Sequence, residues 1–378
     1  MLNRIIEAFR EAYGTAPDYV VRSPGRVNLI GEHTDYNEGF VFPMGIVYDQ
    51  WLALRKNGRD EVRWYSRDVD SKDAFSIRDF SKKKRSWIQF PQGVAWALRE
   101  QGYPLAGFDG YSMGTIPIGS GLSSSAALDL VSCAAFSRAA GFDWDPVAMA
   151  KVSKACDNRW IGLNNGIMDQ LISAIAEEGK ATLIDCRDLS TETFSLPGET
   201  VIVILNTNVR HSLVGSEYND RHAECLRGAE AFGLASLRDL SLERFEAEAP
   251  ALDPVVRRRV RHVLSENLRT LEAAKAMAAN QPERLGLLMN ESHESLRVDF
   301  EVSCAELDIM SEEARRQLGC YGARMTGGGF GGSVVALVRA DAAGEMMAGA
   351  AAGYQARTGI QPTVFATRPC KGTSFELN

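Results

Sequence analysis

The sequence predicts an α+β protein with two domains. Its 378 residues exceed what one ordinary core holds, because domains usually contain about 100–200 residues. Short β-type runs alternate with helical patterns in the first half, and helical patterns then dominate from about residue 217 to residue 322. Segments mixed in this way are typical of α+β folds. We place the domain boundary near residues 180–200 and divide the chain into 1–185 and 186–378.

Residues 1–14 predict an amphipathic helix. Leu2, Ile6, Phe9 and Tyr13 follow helical spacing, and charged residues lie between them. A signal peptide would need an uninterrupted apolar centre, and no apolar run approaches the ~20 residues needed to cross a bilayer. We therefore expect a cytoplasmic protein with no membrane partner.

The remaining elements follow from short patterns along the chain. Three β-type runs predict strands in the first half, at Tyr19–Arg22, Val47–Leu54 and Glu61–Ser66. A helix is predicted from Ser124 to Ala140, where Gly141 is placed to end it. A second helix is predicted at Pro146–Arg159. Later strands are predicted at Ala181–Ile184, Val201–Leu205, Val334–Val338 and Thr363–Thr367.

Composition excludes several classes of protein. The net charge of −7 argues against a nucleic-acid partner, which would favour a basic face. One basic run, Arg257–His262, lies among apolar residues at helical spacing, and we interpret it as a solvated helix face. Seven cysteines without a CxxC pair or zinc spacing predict free thiols in a reducing compartment.

A serine-rich loop, Pro117–Ala127, precedes the predicted helix at Ser124. Its two glycines allow the backbone to bend tightly and approach a ligand. Unpaired amides at a helix start favour an anion, so a polyphosphate is a natural ligand. A helix start with serine caps is the alternative interpretation. The loop lacks the GK[ST] sequence of a P-loop, so another side chain, amides and Mg²⁺ would have to neutralise the phosphates.

A second glycine run, Met325–Ser333, formally contains GxGxxG. A dinucleotide-binding loop follows a strand and opens a helix, whereas this run leads into the strand Val334–Val338. We therefore reject a dinucleotide site. Glycines that lead into a strand fit better as a wall that lets backbone come close to a ligand.

The stretch Gly25–Asn37 is dense in hydrogen-bonding groups. Carboxylates such as Glu32 and Asp35 can accept from pairs of hydroxyl groups, and His33 can bind another oxygen. A polyhydroxylated sugar needs a set of this kind. Taken by itself, the stretch fits a polar surface turn equally well.

The stretch Gly25–Pro43 closely resembles the N-terminal motif of galactokinases, within the wider GHMP family of small-molecule kinases. The serine-rich loop is similar to that family's second motif, and Thr326–Gly332 with the following strand is similar to its third. Four shorter stretches also look galactokinase-like, namely Gly166–Gln170, Leu183–Arg187, Ser216–Tyr218 and Ser292–Arg297. The resemblance covers nearly the whole chain in the expected order, and Gly31–Tyr36 combined with Gly166–Gln170 is highly specific.

The resemblance implies a two-domain GHMP kinase fold with the active site in the cleft between the domains. The N-terminal domain is expected to be like that of a small ribosomal-subunit protein, and the C-terminal domain to be ferredoxin-like. The implied reaction is ATP-dependent phosphorylation of α-D-galactose at its C1 hydroxyl, the first committed step of galactose utilisation. Galactose and ATP are the implied small-molecule partners, Mg²⁺ is the implied cofactor, and a monomer is expected.

The resemblance also assigns site residues. Asp169 matches the family's catalytic base and Arg26 lies beside it, where a cation favours the carboxylate form. Substrate contacts are assigned to Glu32, His33, Thr34, Asp35, Gly166 and Tyr218. The phosphate cradle is assigned to Gly119, Ser120, Gly121, Leu122, Ser123, Ser124 and Ser125. Adenine contacts fall on Trp87 and Ser66, and metal ligation falls on Ser125 and Asp157.

The chain departs from the family pattern at a few positions. Asp157 stands where Glu is usual, which retracts the carboxylate by somewhat over an ångström and favours metal contact through water. Asn165 stands where a cysteine is common. Val298 and Phe300 replace residues that are commonly Asp and Tyr. These differences bear on metal affinity and nucleotide fit.

Three alternative functions share these motifs. An N-acetylgalactosamine kinase needs room near the sugar motif, where Thr34 and Asn37 look like the plain galactokinase form. A catalytically silent galactose sensor resembles galactokinases throughout but lacks the Ser-Ala pair that is present here at Ser125-Ala126. A mevalonate-type kinase conflicts with Glu32–Tyr36.

Overall fold

The computed structural model describes residues 1–82, 86–117, 119–209 and 214–377, with the backbone alone at 214–216. Ile118 of the serine-rich loop and the Ser216 side chain therefore lie outside the described residues. The helices are α1 (Leu2–Tyr13), α2 (Gln89–Glu100), α3 (Ser124–Ala140), α4 (Pro146–Ala155), α5 (Met168–Ile175), α6 (Val214–Ala231), α7 (Leu242–Glu248), α8 (Pro254–Ala278), α9 (Pro282–Ser295), α10 (Ala305–Arg315) and α11 (Ala343–Thr358).

The strands form three sheets. They are β1 (Tyr19–Asn28), β2 (Phe40–Val41), β3 (Pro43–Lys56), β4 (Glu61–Ser66), β5 (Ser71–Ser76), β6 (Phe108–Gly114), β7 (Lys180–Asp185), β8 (Thr191–Ser195), β9 (Thr200–Asn206), β10 (Cys320–Thr326), β11 (Ser333–Arg339), β12 (Thr363–Thr367) and β13 (Ser374–Leu377). The first sheet has the order β13-β1-β3-β6-β4-β5, the second β10-β11-β9-β12 and the third β2-β7-β8. The α+β prediction is confirmed.

The four-stranded sheet belongs to the second half of the chain. Its strands are all antiparallel, and β9 lies between β11 and β12. Helices α6 to α10 separate β9 from β10, and α11 separates β11 from β12. This order is the split β-α-β arrangement of ferredoxin-like folds.

The sheets do not follow a single cut of the chain at residue 185. Strand β8 pairs with β7 across that point. Strand β13, at the end of the described chain, returns to the first sheet and pairs with β1. The division into 1–185 and 186–378 stays a prediction, and these two strands attach parts of the second segment to sheets of the first.

One hydrophobic core joins the two halves. It combines Val27 and Phe42 from the first half with Ile204, Met289 and Val335 from the second, and each of these side chains is fully buried. Separate cores fill the first half around α3 and the second half around β9 to β11. Strand β1 therefore lies where the halves meet, which places its C-terminal end beside the start of α3.

Two sequence predictions need correction. The helix predicted at Pro146–Arg159 changes at Cys156 into a wider π-type turn that ends at Ile161. The basic run at Arg257–His262 is only partly a solvated face, because Arg259 and His262 are buried. Arg259 pairs with Glu224 at 2.6 Å. Helical spacing alone does not reveal that part of the charged side of α8 also packs against other elements of the protein.

Within the described residues, none of the helices has the length and apolar character that crossing a bilayer requires.

Helix α9 packs closely on β10 through two glycines. A Cβ added to Gly286 would overlap the backbone of Tyr321, and one added to Gly322 would overlap Gly286. We expect Gly286→Ala to destabilise the protein by about 1–3 kcal/mol, because an added methyl group overpacks the contact. The measurement is the free energy of unfolding in urea.

Gly344→Ala is the matched control, since Gly344 lies in α11 with open space around its Cβ position. This control should stabilise the protein by about 0.5–1 kcal/mol, because alanine is the better helix former. Equal stability of the two variants would contradict the packing described for α9 and β10.

Candidate active site

A cavity of about 240 Å³ lies between the halves of the chain. Its lining comes from the end of β1 and the loop after it, the start of α3, the segment before and into α5, helix α6 and the glycine run after β10. The lining residues are Arg26, Glu32, His33, Asp35, Ser125, Leu163, Asn165, Gly166, Met168, Asp169, Tyr218, Gly327 and Gly328. Eight of the residues predicted from the sequence are therefore brought together here.

An ion pair between Arg26 and Asp169 lies on one wall of the cavity. Arg26 Nε donates to Asp169 Oδ1 and Arg26 Nη2 donates to Oδ2, both at 2.7 Å. The Arg26 side chain is 5% exposed and that of Asp169 is 28% exposed, so the carboxylate is the more accessible of the two groups on this wall. A bidentate pair of this kind fixes the orientation of the carboxylate as well as its charge.

The fold gives both partners a fixed position. Arg26 belongs to β1, and its amide donates to Leu122 O at 3.2 Å. A Cβ on Gly25 would lie 2.7 Å from the same carbonyl, so the close approach of β1 to the serine-rich loop requires glycine there. Asp169 lies in the first turn of α5, where the helix dipole stabilises a negative charge.

The serine-rich loop leaves the start of α3 available to an anion. Ser123 holds the N-cap position in a left-handed conformation (φ 56°), but no side chain caps the first turn. Its hydroxyl instead donates to Asp169 Oδ2. The unpaired amides at a helix start then favour a phosphate group. Ser125, one residue into the helix, lines the cavity.

The rest of the loop is held by backbone contacts. Ser120 is buried, and its hydroxyl donates to Pro117 O at 2.7 Å. Ser333 donates to Ser120 O at 2.6 Å, and Arg26 Nη1 donates to Gly121 O at 2.6 Å. Leu122 is buried in the core that joins the halves. In the predicted cradle, Ser120 and Leu122 therefore shape the loop, whereas Ser124 and Ser125 remain half-buried at its open side.

His33 presents one polar atom to the cavity. Its Nδ1 lies 2.8 Å from the Tyr36 hydroxyl, whereas its buried Nε2 has no hydrogen-bond partner among the described residues. Burial, with the nearby His262, lowers the pKa of His33 to about 3. The ring is therefore neutral near pH 7 and can bind a hydroxyl group without carrying a charge.

Glu32 is held firmly by the second half of the chain. Its carboxylate accepts from the Gly327 amide, from the Asn28 side chain and from the Thr326 hydroxyl at 3.1 Å. Burial raises the pKa of the Glu32 carboxyl, and the positive charges of Arg324 and Arg26 oppose that rise. Glu32 lines the cavity, but much of its acceptor capacity is already used by the protein.

Asp35 and Gly166 lie against each other. A Cβ on Gly166 would overlap the Asp35 carboxylate, so only glycine fits at this position. Burial and the negative charge of Asp169 raise the pKa of Asp35 to about 6. The structure thus sets two carboxylates, those of Asp35 and Asp169, on one cavity.

Asp157 lies behind the cavity, in the π-type turn after α4. Its Oδ2 accepts from Asn165 Nδ2 at 2.7 Å and from Gln170 Nε2 at 2.8 Å, whereas its buried Oδ1 has no partner among the described residues. Burial raises the pKa of Asp157 to about 6. Asp129 is buried as well, and burial together with the charge of Asp157 raises the pKa of Asp129 well above its usual range.

Three further predicted contacts, Thr34, Ser66 and Trp87, also do not line this cavity. Thr34 is fully buried, and its hydroxyl is within hydrogen-bond distance of the carbonyls of Gly31 and Phe40, so its side chain stabilises a turn and its contact with substrate stays a prediction. Ser66 ends β4 and is buried. Trp87 packs edge-on against Trp64, with ring centroids 6.1 Å apart, and its buried Nε1 has no partner among the described residues.

The sequence analysis did not assign five of the lining residues: Leu163, Asn165, Met168, Gly327 and Gly328. The two glycines belong to the run that was predicted from the sequence to form a wall beside a ligand. The sequence therefore indicated this segment, although it did not single out the two residues. Tyr218 packs within 3.3 Å of the Cβ position of Gly328. Leu163 and Asn165 lie in the turn before α5, and nothing in their residue types separates them from an ordinary surface turn.

Comparison with protein families gives three matches along the chain. Residues 7–56 match the galactokinase galactose-binding signature. Residues 89–177 match the GHMP kinase N-terminal domain, and residues 273–355 match the GHMP kinase C-terminal domain. The three matches follow one another in chain order.

Comparison with solved structures extends these matches to the full length. The galactokinase of Lactococcus lactis, solved with galactose, is 34% identical to this chain, with 99% of each chain covered and a TM-score of 0.95. The mevalonate kinase of Methanococcus jannaschii is 17% identical, with 95% of this chain and 100% of that one covered and a TM-score of 0.63. The homoserine kinase of Cytophaga hutchinsonii is 14% identical, with 94% and 96% covered and a TM-score of 0.62. The last two show the fold alone.

Two of the carboxylates on the cavity, those of Asp35 and Asp169, give a prediction about pH. We expect the Asp35 carboxyl to titrate near pH 6, and Asp169→Asn to move that midpoint to lower pH, because a neutral amide removes the repulsion that disfavours a second charge. The measurement is a ¹³C-carboxyl NMR titration, with Asp35→Asn assigning the signal. A midpoint unchanged by Asp169→Asn would show that the two carboxylates are not coupled.

Proposed function

The chain belongs to the galactokinases of the GHMP kinase family, and from this we infer that it transfers the γ-phosphoryl group of ATP to the C1 hydroxyl of galactose. The observation that carries the proposal is the bidentate ion pair of Arg26 and Asp169 on a cavity that adjoins the uncapped start of α3. One side of this arrangement suits a hydroxyl nucleophile. The other suits a polyphosphate.

Asp169 is the proposed base. Its two oxygens are oriented by Arg26 and Ser123, and the carboxylate remains partly exposed towards the cavity. In that position it can orient the C1 hydroxyl and accept its proton while the C1 oxygen bonds to the γ-phosphorus of ATP, the bond from that phosphorus to the bridging oxygen breaks, and ADP leaves. Proton transfer of this kind contributes about 10²–10⁴-fold to a rate, and positioning of the two reactants contributes further.

Arg26 has a second proposed role at the phosphoryl group. The guanidinium is buried and fixed by three hydrogen bonds, to Asp169 and to Gly121 O. A fixed positive charge beside the transferred group stabilises the charge that develops on its oxygens without reorganisation. It thereby supplies part of the positive charge that the lysine of a P-loop would otherwise place beside the phosphates.

The sugar contacts are proposed from the polar atoms on the opposite wall. His33 Nε2 is buried and has no partner among the described residues, and Asp35 offers carboxylate oxygens at the cavity. Gly166 allows backbone to approach, and Tyr218 covers the side where His33 lies, with ring centroids 5.2 Å apart. Neutral and charged acceptors of this kind suit several hydroxyl groups of one hexose.

Magnesium is proposed as the cofactor that accompanies ATP. Ser125 faces the cavity, and Asp157 has one buried oxygen without a partner among the described residues. These oxygen donors suit the ion, which prefers oxygen ligands and usually shares them with substrate phosphates. The described residues contain no group of three or more His, Cys, Asp or Glu side chains that could hold a metal. When bound, Mg²⁺ neutralises charge on the phosphate oxygens.

The proposal also covers the contacts with adenine, the oligomeric state and the location of the protein in the cell. We propose that Trp87 and Ser66 contact adenine, supported by the unpartnered Nε1 of Trp87. We propose a monomer, supported by a cavity whose lining residues all come from one chain. A cytoplasmic location is supported by seven cysteines that are all free thiols.

A panel of free hexoses with Mg·ATP tests the function. We expect ADP release with galactose and much less with N-acetylgalactosamine, because its 2-acetamido group needs additional room in a cavity of about 240 Å³. Glucose, the C4 epimer of galactose, should also react poorly, because its C4 hydroxyl points in a different direction relative to the fixed polar groups of the cavity. The measurement is a coupled ADP-release assay, with product position assigned by ³¹P NMR. Galactose binding without ADP release would instead identify a sensor, and preferred turnover of another sugar would contradict the assigned substrate.

The role of Asp169 gives a second prediction. Asp169→Asn should lower kcat by about 10²–10⁴-fold, because the amide has nearly the same size but cannot take the proton and accepts only one of the two hydrogen bonds from Arg26. ATP affinity, measured by calorimetry, should change little. Asp188→Asn, at an exposed aspartate outside the cavity, is the control and should match the wild type. If Asp169→Asn keeps near-normal kcat, Asp169 is not the base.

A further inference from the structure

Three amide and carboxylate side chains meet behind the cavity. Asn165 Nδ2 and Gln170 Nε2 both donate to Asp157 Oδ2, at 2.7 and 2.8 Å. Because only the nitrogen of each amide can donate to a carboxylate, the oxygens of Asn165 and Gln170 must point away from it. The two amides therefore fix the rotation of the Asp157 carboxylate and leave its Oδ1 on the other side.

The same cluster holds three acceptors without donors. Asp157 Oδ1, Asn165 Oδ1 and Gln170 Oε1 are all buried and have no hydrogen-bond partner among the described residues. Asp157 and Gln170 are at least 98% buried. Buried polar groups in folded proteins are almost always satisfied, so three adjacent exceptions of one kind indicate a missing donor or cation rather than an accident of packing.

The charge around the cluster narrows the class of ligand. The titratable groups that influence Asp157 and Asp129 are other carboxylates, including Asp169. A second carboxylate or a phosphate would be repelled there. Oxygen acceptors gathered in a negative environment suit a divalent cation that keeps part of its water shell, because each bound water has two protons to donate.

Asn165 connects this cluster to the cavity. It lines the cavity directly before Gly166 and at the same time holds Asp157. Asp157 and Asn165 are also two of the positions at which the sequence departs from the pattern of its family, and the structure places them in contact. The shorter carboxylate of Asp157 and the amide that holds it thus form one unit.

We propose that Asn165 is a positioning residue for the magnesium ion that accompanies the nucleotide. Its amide nitrogen holds the Asp157 carboxylate through Oδ2, which leaves Asp157 Oδ1 and Asn165 Oδ1 as the acceptors that would take hydrogen bonds from water bound to the ion. The contact of Asp157 with the metal then passes through water, and the affinity for the metal depends on Asn165 as much as on Asp157. This inference rests on the proposed function, because it needs a nucleotide-bound cation.

The test uses Mn²⁺ as the probe, with the full-length protein saturated with ADP, and EPR counts the free ion. We expect Asn165→Ala and the similarly sized Asn165→Leu to weaken Mn²⁺ binding by about 10–100-fold, as losses around a metal ligand usually do. Asp157→Ala should weaken it by a similar factor. The double variant Asp157→Ala/Asn165→Ala should be no weaker than the poorer single variant, because both act through one unit.

Asn164→Ala is the matched control, since Asn164 precedes Asn165, is exposed and does not line the cavity. It should bind Mn²⁺ like the wild type. Mn²⁺ affinity unchanged in both Asn165 variants, or losses that add in the double variant, would overturn the inference. Failure of the wild type to bind Mn²⁺ with ADP at all would instead contradict the proposed function, so the two failures are distinguishable.

Discussion

The site depends on one buried ion pair, between Arg26 of β1 and Asp169 of α5. Both groups line the cavity, the guanidinium almost fully buried and its partner the more exposed of the two. Breaking a buried pair by removing one member typically costs about 3–5 kcal/mol, because the other charge is left uncompensated. The pair therefore ties the first strand of the large sheet to the helix that carries the proposed base. The pair also holds the serine-rich loop, because Arg26 donates to Gly121 O and the Ser123 hydroxyl donates to Asp169.

The second half of the chain fixes the opposite wall. His262 and Glu266, both in α8 and both fully buried, contact the loop after β1: His262 Nε2 lies 3.1 Å from Glu32 O, and Glu266 Oε1 accepts from the Gly31 amide at 3.0 Å. The Gly327 amide reaches the Glu32 carboxylate from the glycine run. The sugar motif is thus held by residues more than 200 positions away in the sequence, which makes the proposed site a product of how the two halves pack.

Local patterns predicted the elements well, because their physical causes are local. Helix α3 begins at Ser124 and ends before Gly141 as its cap residues indicate, and β4 and β12 have the predicted bounds. The features that sequence could not supply depend on distant contacts: the pairing of β13 with β1, the turn that buries Asp157, and the use of the Thr34 hydroxyl inside a turn. The resemblance to galactokinases supplied most of the site, whereas the contact of Asn165 with Asp157 needed the structure.

In the proposed complex, the carboxylate held by Arg26 meets the C1 oxygen of the sugar opposite a nucleotide bound at the start of α3. A crystal structure of the protein with galactose, Mg²⁺ and a non-hydrolysable ATP analogue measures this directly. The account predicts hydrogen-bond distance, about 2.6–3.2 Å, between an Asp169 oxygen and the C1 oxygen, with the terminal phosphate at the uncapped amides of α3. A sugar bound with its C1 oxygen out of reach of Asp169, and another protein group beside it, would contradict the account.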